Sequence, residues 1–136
     1  MDTQIITCKE TSETNSNITF VTSSTPTHNL LLRIGIPAHL YGYGFIIYAL
    51  ELCLLDPSVL HHVTKGLYID IAKKFQTSPY RVEHAIRHAI KVACQRGNID
   101  FINQIFQNSI HPDKNTPTNT MFLARLYYYI VNREYE

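Results

Sequence analysis

The sequence predicts an all-α domain behind a polar N-terminal tail. Three observations carry this. From His28 onward the apolar residues recur at helical spacing, and a short β-like fragment at 17–22 lies before that point. Residues 71–90, IAKKFQTSPYRVEHAIRHAI, read as a short helix, a tight turn and a second helix. Turn formers such as Gly35, Asp56-Pro57 and Gly97 fall between segments of helix length.

The elements follow in order. Residues 1–27 are expected to form a flexible tail and 28–136 the folded domain, since half of residues 1–26 are Ser, Thr or Asn and bury little. A short helix ends near Gly35. A long apolar helix runs from about Ala38 to Leu55 and stops at Asp56-Pro57, its first turns weakened by Gly42 and Gly44. Ser58 begins a short turn or helix that reaches about Lys65. In the next helix Ile71, Ala72 and Phe75 share one face, and Gln76-Thr77-Ser78 interrupts the pattern. Ser78 suits an N-cap, because its hydroxyl can accept an orphan N–H of the first turn. Pro79 then stands at the first helical position, where its missing N–H costs nothing. Val82, Ala85, Ile86, Ala89, Ile90 and Ala93 form an apolar stripe. Arg96 lies in the last turn, and Gly97 suits a left-handed cap. Small Ala72, Ala85 and Ala89 predict a close crossing of these two helices. Many such turns carry Gly where Gln76 stands, which predicts a turn that is looser or mildly strained. A helix over 99–107 is packed by Ile102, Ile105 and Phe106. A loop over 111–117 follows, and Thr118 caps a last helix to about Asn132 with Phe122, Leu126, Tyr129 and Ile130 inward.

The outer face of the second helix of the pair carries the chemistry. Tyr80, Arg81, Glu83, His84, Arg87, His88 and Lys91 point away from the apolar stripe, with Glu83, His84, Arg87 and Lys91 on one strip. Arg87 can bond a guanine through two N–H groups, and Glu83 can accept from cytosine N4. Lys73, Lys74, Arg81 and Lys91 suit phosphate, which fixes register but carries no sequence information. Pattern alone fits a solvated helix face equally well. Charge separates the two readings. The whole chain is only +1. Residues 65–96, however, hold seven Lys and Arg against Asp70 and Glu83, while the segments on either side are net negative. The excess positive charge is therefore confined to the proposed DNA-reading unit.

Composition sets the outer bounds. A chain of 136 residues, 45% apolar, fits one domain with a real core. Cys8, Cys53 and Cys94 are too few and too widely spaced for a metal motif or a disulfide framework, so a reducing cytoplasm is the expected setting. The N-terminus lacks the apolar core of a signal peptide, and the apolar run near 45–55 is interrupted by Glu51 and too short to span a bilayer. No membrane partner is expected, and the sequon at Asn17 is read as idle.

Rival readings of single features are weaker. His84 and His88 have a metal-compatible spacing, but no third ligand lies nearby. His61-His62 suits a helix end or a surface pair. Cys94 follows apolar Ala93 and reads as a buried thiol without an activating base. Tyr41-Gly42-Tyr43-Gly44 lacks the Lys and the preceding strand of a phosphate loop. Tyr127-Tyr128-Tyr129 could stack bases, but part of it reads as core and the rest as partner surface. Neither a catalytic constellation nor a cofactor or metal site is expected, so the chain does not read as an enzyme.

Several stretches, in order, resemble one family. GIPAH at 35–39, LYIDIAKKF at 67–75, RVEHAIRHAI at 81–90, RGNID at 96–100 and PTN at 117–119 are similar to the C-terminal effector domain of the stage 0 sporulation protein A family, across roughly residues 28–131. The resemblance implies a compact six-helix fold containing a helix-turn-helix. It implies binding of double-stranded DNA at short TGTCGAA-like boxes, often as tandem copies, and contact with RNA polymerase and its main sigma factor. It implies base contacts at Glu83, His84 and Arg87, and phosphate contacts at Arg81, His88 and Lys91. The family has Arg where His84 stands. A neutral imidazole cannot make the two-pronged, permanently charged contact of a guanidinium, so an altered box preference is expected. Tyr80 stands where a smaller residue is usual. The family's receiver domain does not fit residues 1–27, so phosphorylation control and the receiver's cation site are not carried over. The chain is expected to act in the cytoplasm, on the nucleoid, as a transcription regulator. The alternative is a receiver-less interaction module that antagonises or pairs with a full-length regulator.

Overall fold

The computed structural model describes residues 25–107 and 116–133. Expectations for most of the tail, for Cys8, for the sequon and for most of the loop after residue 107 lie outside the described residues. Six α-helices make up the described part, with no strand among the described residues: α1 (Thr25–Ile34), α2 (Tyr41–Leu55), α3 (Tyr68–Phe75), α4 (Pro79–Arg96), α5 (Ile99–Ile105) and α6 (Asn119–Arg133). Between α2 and α3 run a 3-10 turn, Pro57–His61, and a π-helical turn, Val63–Leu67. The all-α expectation holds, with some boundaries shifted. Helix α1 begins inside the stretch read as tail, and its Thr27 is buried.

Helix α2 is apolar nearly all round, and such a helix belongs in the centre of a fold. Tyr43, Phe45, Ile46, Ile47, Ala49, Leu50 and Cys53 are all buried, and α1, α3, α4 and α6 pack against it. Each large apolar side chain buried this way contributes about 1.5–3 kcal/mol. The helix starts at Tyr41, three residues later than expected. The chain first folds into a turn in which the Leu40 N–H bonds the Pro37 carbonyl at 3.2 Å. Gly42 does not weaken the first turn so much as permit contact: a Cβ there would lie 2.3 Å from the Ala85 carbonyl oxygen and 2.8 Å from the Ala89 Cβ. Ala85 and Ala89 thus admit a close approach of α2 to α4, and α3, with Ala72 buried, packs against α4 as well.

The segment after Asp56 is less regular than a single short helix. The Asp56 carboxylate caps the 3-10 turn, accepting from the Ser58 N–H at 3.1 Å and the Ser58 hydroxyl at 2.7 Å. The wider π-turn then runs directly into α3, which brings Val63, Leu67 and Tyr68 all to the core.

The far end of α4 departs from expectation. Gly97 is extended, with φ −85° and ψ −162°, and makes no left-handed cap. Its role is space: a Cβ there would lie 2.5 Å from both the Ala93 and the Ile34 carbonyl oxygens. The chain leaves α4 toward α1, where the Asn98 N–H bonds the Ile34 carbonyl at 2.9 Å. Asn98 then caps α5 through its side chain, accepting from Phe101 at 3.1 Å. Helix α5 buries Phe101, Ile102 and Ile105, and Arg33 of α1 lies over the Phe101 ring at 3.9 Å. The Thr118 hydroxyl caps α6 as expected, accepting from Met121 at 3.2 Å. Phe122, Leu126 and Ile130 face the core, while Tyr129 is half-buried edge-on against Phe101.

Candidate nucleic-acid interface

Helices α3 and α4 are joined by three residues, and the joint is tight. Gln76 adopts the left-handed conformation, with φ 57° and ψ 50°. The Thr77 N–H returns to the Ala72 carbonyl at 2.9 Å and the Gln76 N–H reaches toward Lys73, a paired closure of a helix end. Of the two forms expected without Gly, the strained one is present. The Ser78 hydroxyl caps α4, accepting from Arg81 at 3.2 Å, and Pro79 is the first helical residue.

Helix α4 is divided lengthwise. Val82, Ile86, Ala89, Ile90, Ala93 and Cys94 are buried, whereas Arg81, His84, Arg87, His88 and Lys91 are exposed and Glu83 is half-buried. The proposed reading residues therefore share one solvent-facing side. Two are engaged with each other: Arg87 Nη2 donates to Glu83 Oε2, an i,i+4 ion pair. His84 is engaged with Tyr80, one turn earlier, their ring centroids 4.2 Å apart. Both contacts follow the i,i+4 spacing that brings side chains together on a helix.

The phosphate candidates are less uniform. Arg81, His88 and Lys91 flank the reading strip, and Lys73 is exposed at the end of α3. Lys74 is exposed too, but its ammonium leans to α2, 5.8 Å from the Tyr48 ring centroid. Burial pushes the Glu51 carboxyl above its ordinary range, and the Lys74 charge opposes that shift. A phosphate contact from Lys74 has to compete with these neighbours. Phe75, expected inward, is 43% exposed and caps the edges of Phe45 and Tyr48. Phe45 itself is buried, so Phe75 covers the edge of the core from outside without a place inside it.

Beside the strip lies an open cleft of about 420 Å³, lined by Tyr68, Glu83, Arg87, Lys91 and residues 116–120 among others. It places the start of α6 against the reading face. Asn119, nearly buried, donates to the Tyr68 hydroxyl at 3.0 Å and to the Glu83 backbone carbonyl at 3.1 Å. Sequence reading missed both Asn119 and Tyr68, which are 51 positions apart.

Other reactive groups are subdued. Burial pushes the Cys53 thiol up to about 11 and the Cys94 thiol in the same direction, which favours the un-ionised, unreactive form. Among the described residues no three His, Cys, Asp or Glu side chains cluster as a metal site would. No helix of the described residues is long and apolar enough to cross a membrane. Tyr128 is exposed, and Tyr127 packs edge-on to it.

Helix α4 is thus N-capped, reached through a tight turn, and presents cations on a side opposite its apolar stripe. The family model described as "Sporulation initiation factor Spo0A C terminal" matches residues 27–130, so the chain belongs to this family of DNA-binding sporulation-regulator domains.

Proposed function

We propose that this domain, residues 28–136, recognises short TGTCGAA-like boxes by laying α4 in the major groove. Glu83, His84 and Arg87 meet the base edges, while Lys73, Lys74, Arg81, His88 and Lys91 meet phosphates. The observation that carries the reading is the lengthwise division of α4, with His84, Arg87, His88 and Lys91 exposed opposite a buried stripe. In the free protein Glu83 and Arg87 satisfy each other. On a matching box the pair exchanges its partners: Arg87 donates to guanine and Glu83 accepts from cytosine. Two copies occupy tandem boxes on the nucleoid, and the bound domain contacts RNA polymerase and its main sigma factor.

Binding of a duplex carrying one TGTCGAA-like box is compared with a scrambled duplex across salt concentration. Recognition predicts a preference of at least about a thousandfold for the box and a steep fall with salt. Equal, weak binding to both duplexes would overturn the reading and favour a module that acts on another regulator instead.

A further inference from the structure

The clamp at the start of α6 lies next to the reading strip but takes no part in it directly. Asn119 is 8% exposed, one of the few buried polar side chains among the described residues. A buried amide is retained where its donors are satisfied. Both N–H groups of its Nδ2 are used, one on the Tyr68 hydroxyl of α3 and one on the Glu83 carbonyl of α4. Burial raises the Tyr68 pKa, which keeps the phenol protonated, and the Asn119 bond partly offsets that rise. One side chain thus ties α3, α4 and α6 together. The tie is fastened to the backbone of Glu83, the residue whose carboxylate holds Arg87. Groups that recognise a partner must be held to within about 0.5 Å by the residues behind them.

We propose that Asn119 is a positioning residue for base recognition. Its amide fixes the height and rotation of α4 at Glu83, so that the Glu83–Arg87 pair meets the base edges in register; it touches no DNA itself. This rests on the reading above.

The test uses the whole chain with the box and scrambled duplexes. Asn119→Leu keeps the branched shape and the neutral charge, with a larger volume, and removes both donors. Tyr68→Phe removes one acceptor and leaves the Glu83 tie. Thr27→Val alters a buried polar residue of α1, away from the strip. Each is compared at a temperature where unfolding curves show it folded. Asn119→Leu is expected to lower affinity for the box about fivefold or more while binding to scrambled DNA stays within about twofold. Tyr68→Phe should lose less, and Thr27→Val should leave the box-to-scrambled ratio unchanged. A ratio unchanged in Asn119→Leu, or one lost equally in Thr27→Val, overturns the positioning role. Should Asn119→Leu not fold, an unchanged ratio in Tyr68→Phe overturns it. Wild-type protein that ignores the box overturns the functional reading as well, which separates the two failures.

Discussion

Gly42 and Gly44 stand two residues apart in the first turn of α2, yet alanine should act on them in opposite directions. A Cβ at Gly42 would lie 2.3 Å from the Ala85 carbonyl oxygen, 2.8 Å from the Ala89 Cβ and 2.9 Å from the Ala85 carbonyl carbon. Ordinary contact begins at 3.4 Å, so α2 and α4 must part by about 1 Å. The obstacle is helix backbone and cannot rotate aside. Such overpacking costs about 1–3 kcal/mol, and the stiffness of the obstacle argues for the upper part of that range. Alanine returns about 0.5–1 kcal/mol of helix propensity, leaving a net loss of about 2 kcal/mol. At Gly44 a Cβ meets nothing within 4 Å. Only the propensity gain of about 0.5–1 kcal/mol remains there. In thermal unfolding Gly42→Ala should therefore lower the Tm by roughly 8 °C and Gly44→Ala raise it by roughly 2–4 °C. A Gly42→Ala protein as stable as wild type, or two variants moving together, would refute the close packing of α2 on α4.

Four further outcomes are expected. Gln76→Gly removes the left-handed strain at the joint and should stabilise the fold by about 0.5–1 kcal/mol in urea titration. Arg87→Ala should weaken box binding by about 1–3 kcal/mol and relax specificity there. Its Tm should hardly move, since an exposed ion pair contributes at most about 1 kcal/mol to folding. His84→Arg should shift the preference among variant boxes in a competition assay, and an unchanged ranking would sink the idea that the imidazole alters readout. His28 bonds the Tyr43 hydroxyl at 3.1 Å, and burial holds its pKa below the ordinary 6.5. The unfolded chain therefore takes up a proton first, so stability is full above pH 6.5 and falls as the pH drops through that value toward the lowered one. His28→Gln should flatten this acid-side loss when Tm values at neutral and mildly acidic pH are compared.

Local chemistry was legible in the sequence, and contacts across the fold were not. Ser78, Pro79 and Thr118 act within a few residues of themselves, and each caps or opens its helix as expected. The stripe of α4 was legible for the same reason, because helical periodicity fixes which residues share a side. Gly97 was misread because its conformation answers to Ile34 on another helix, and a left-handed cap is only the commonest use of such a glycine. Phe75 departs from its expected place because nothing local tells that it packs from outside on buried Phe45 and half-buried Tyr48. Asn119 stands in the sequence only as the end of the PTN stretch at 117–119, and only the folded chain brings Tyr68 and Glu83 to it.

Gly35 and Gly97 face each other across the end of α1 and the end of α4. A Cβ on Gly35, at φ +100°, would fall 2.7 Å from the Gly97 Cα, and one on Gly97 would strike the Ile34 carbonyl. The two positions form a single mutational target. Gly35 abuts the Gly97 backbone and Gly97 abuts the Ala93 and Ile34 carbonyls; backbone has no smaller form to mutate to, so a change at either glycine has no simple suppressor among these neighbours. A side chain at either glycine would force the end of α1 and the end of α4 apart, and α4 is the helix that carries Glu83, His84 and Arg87.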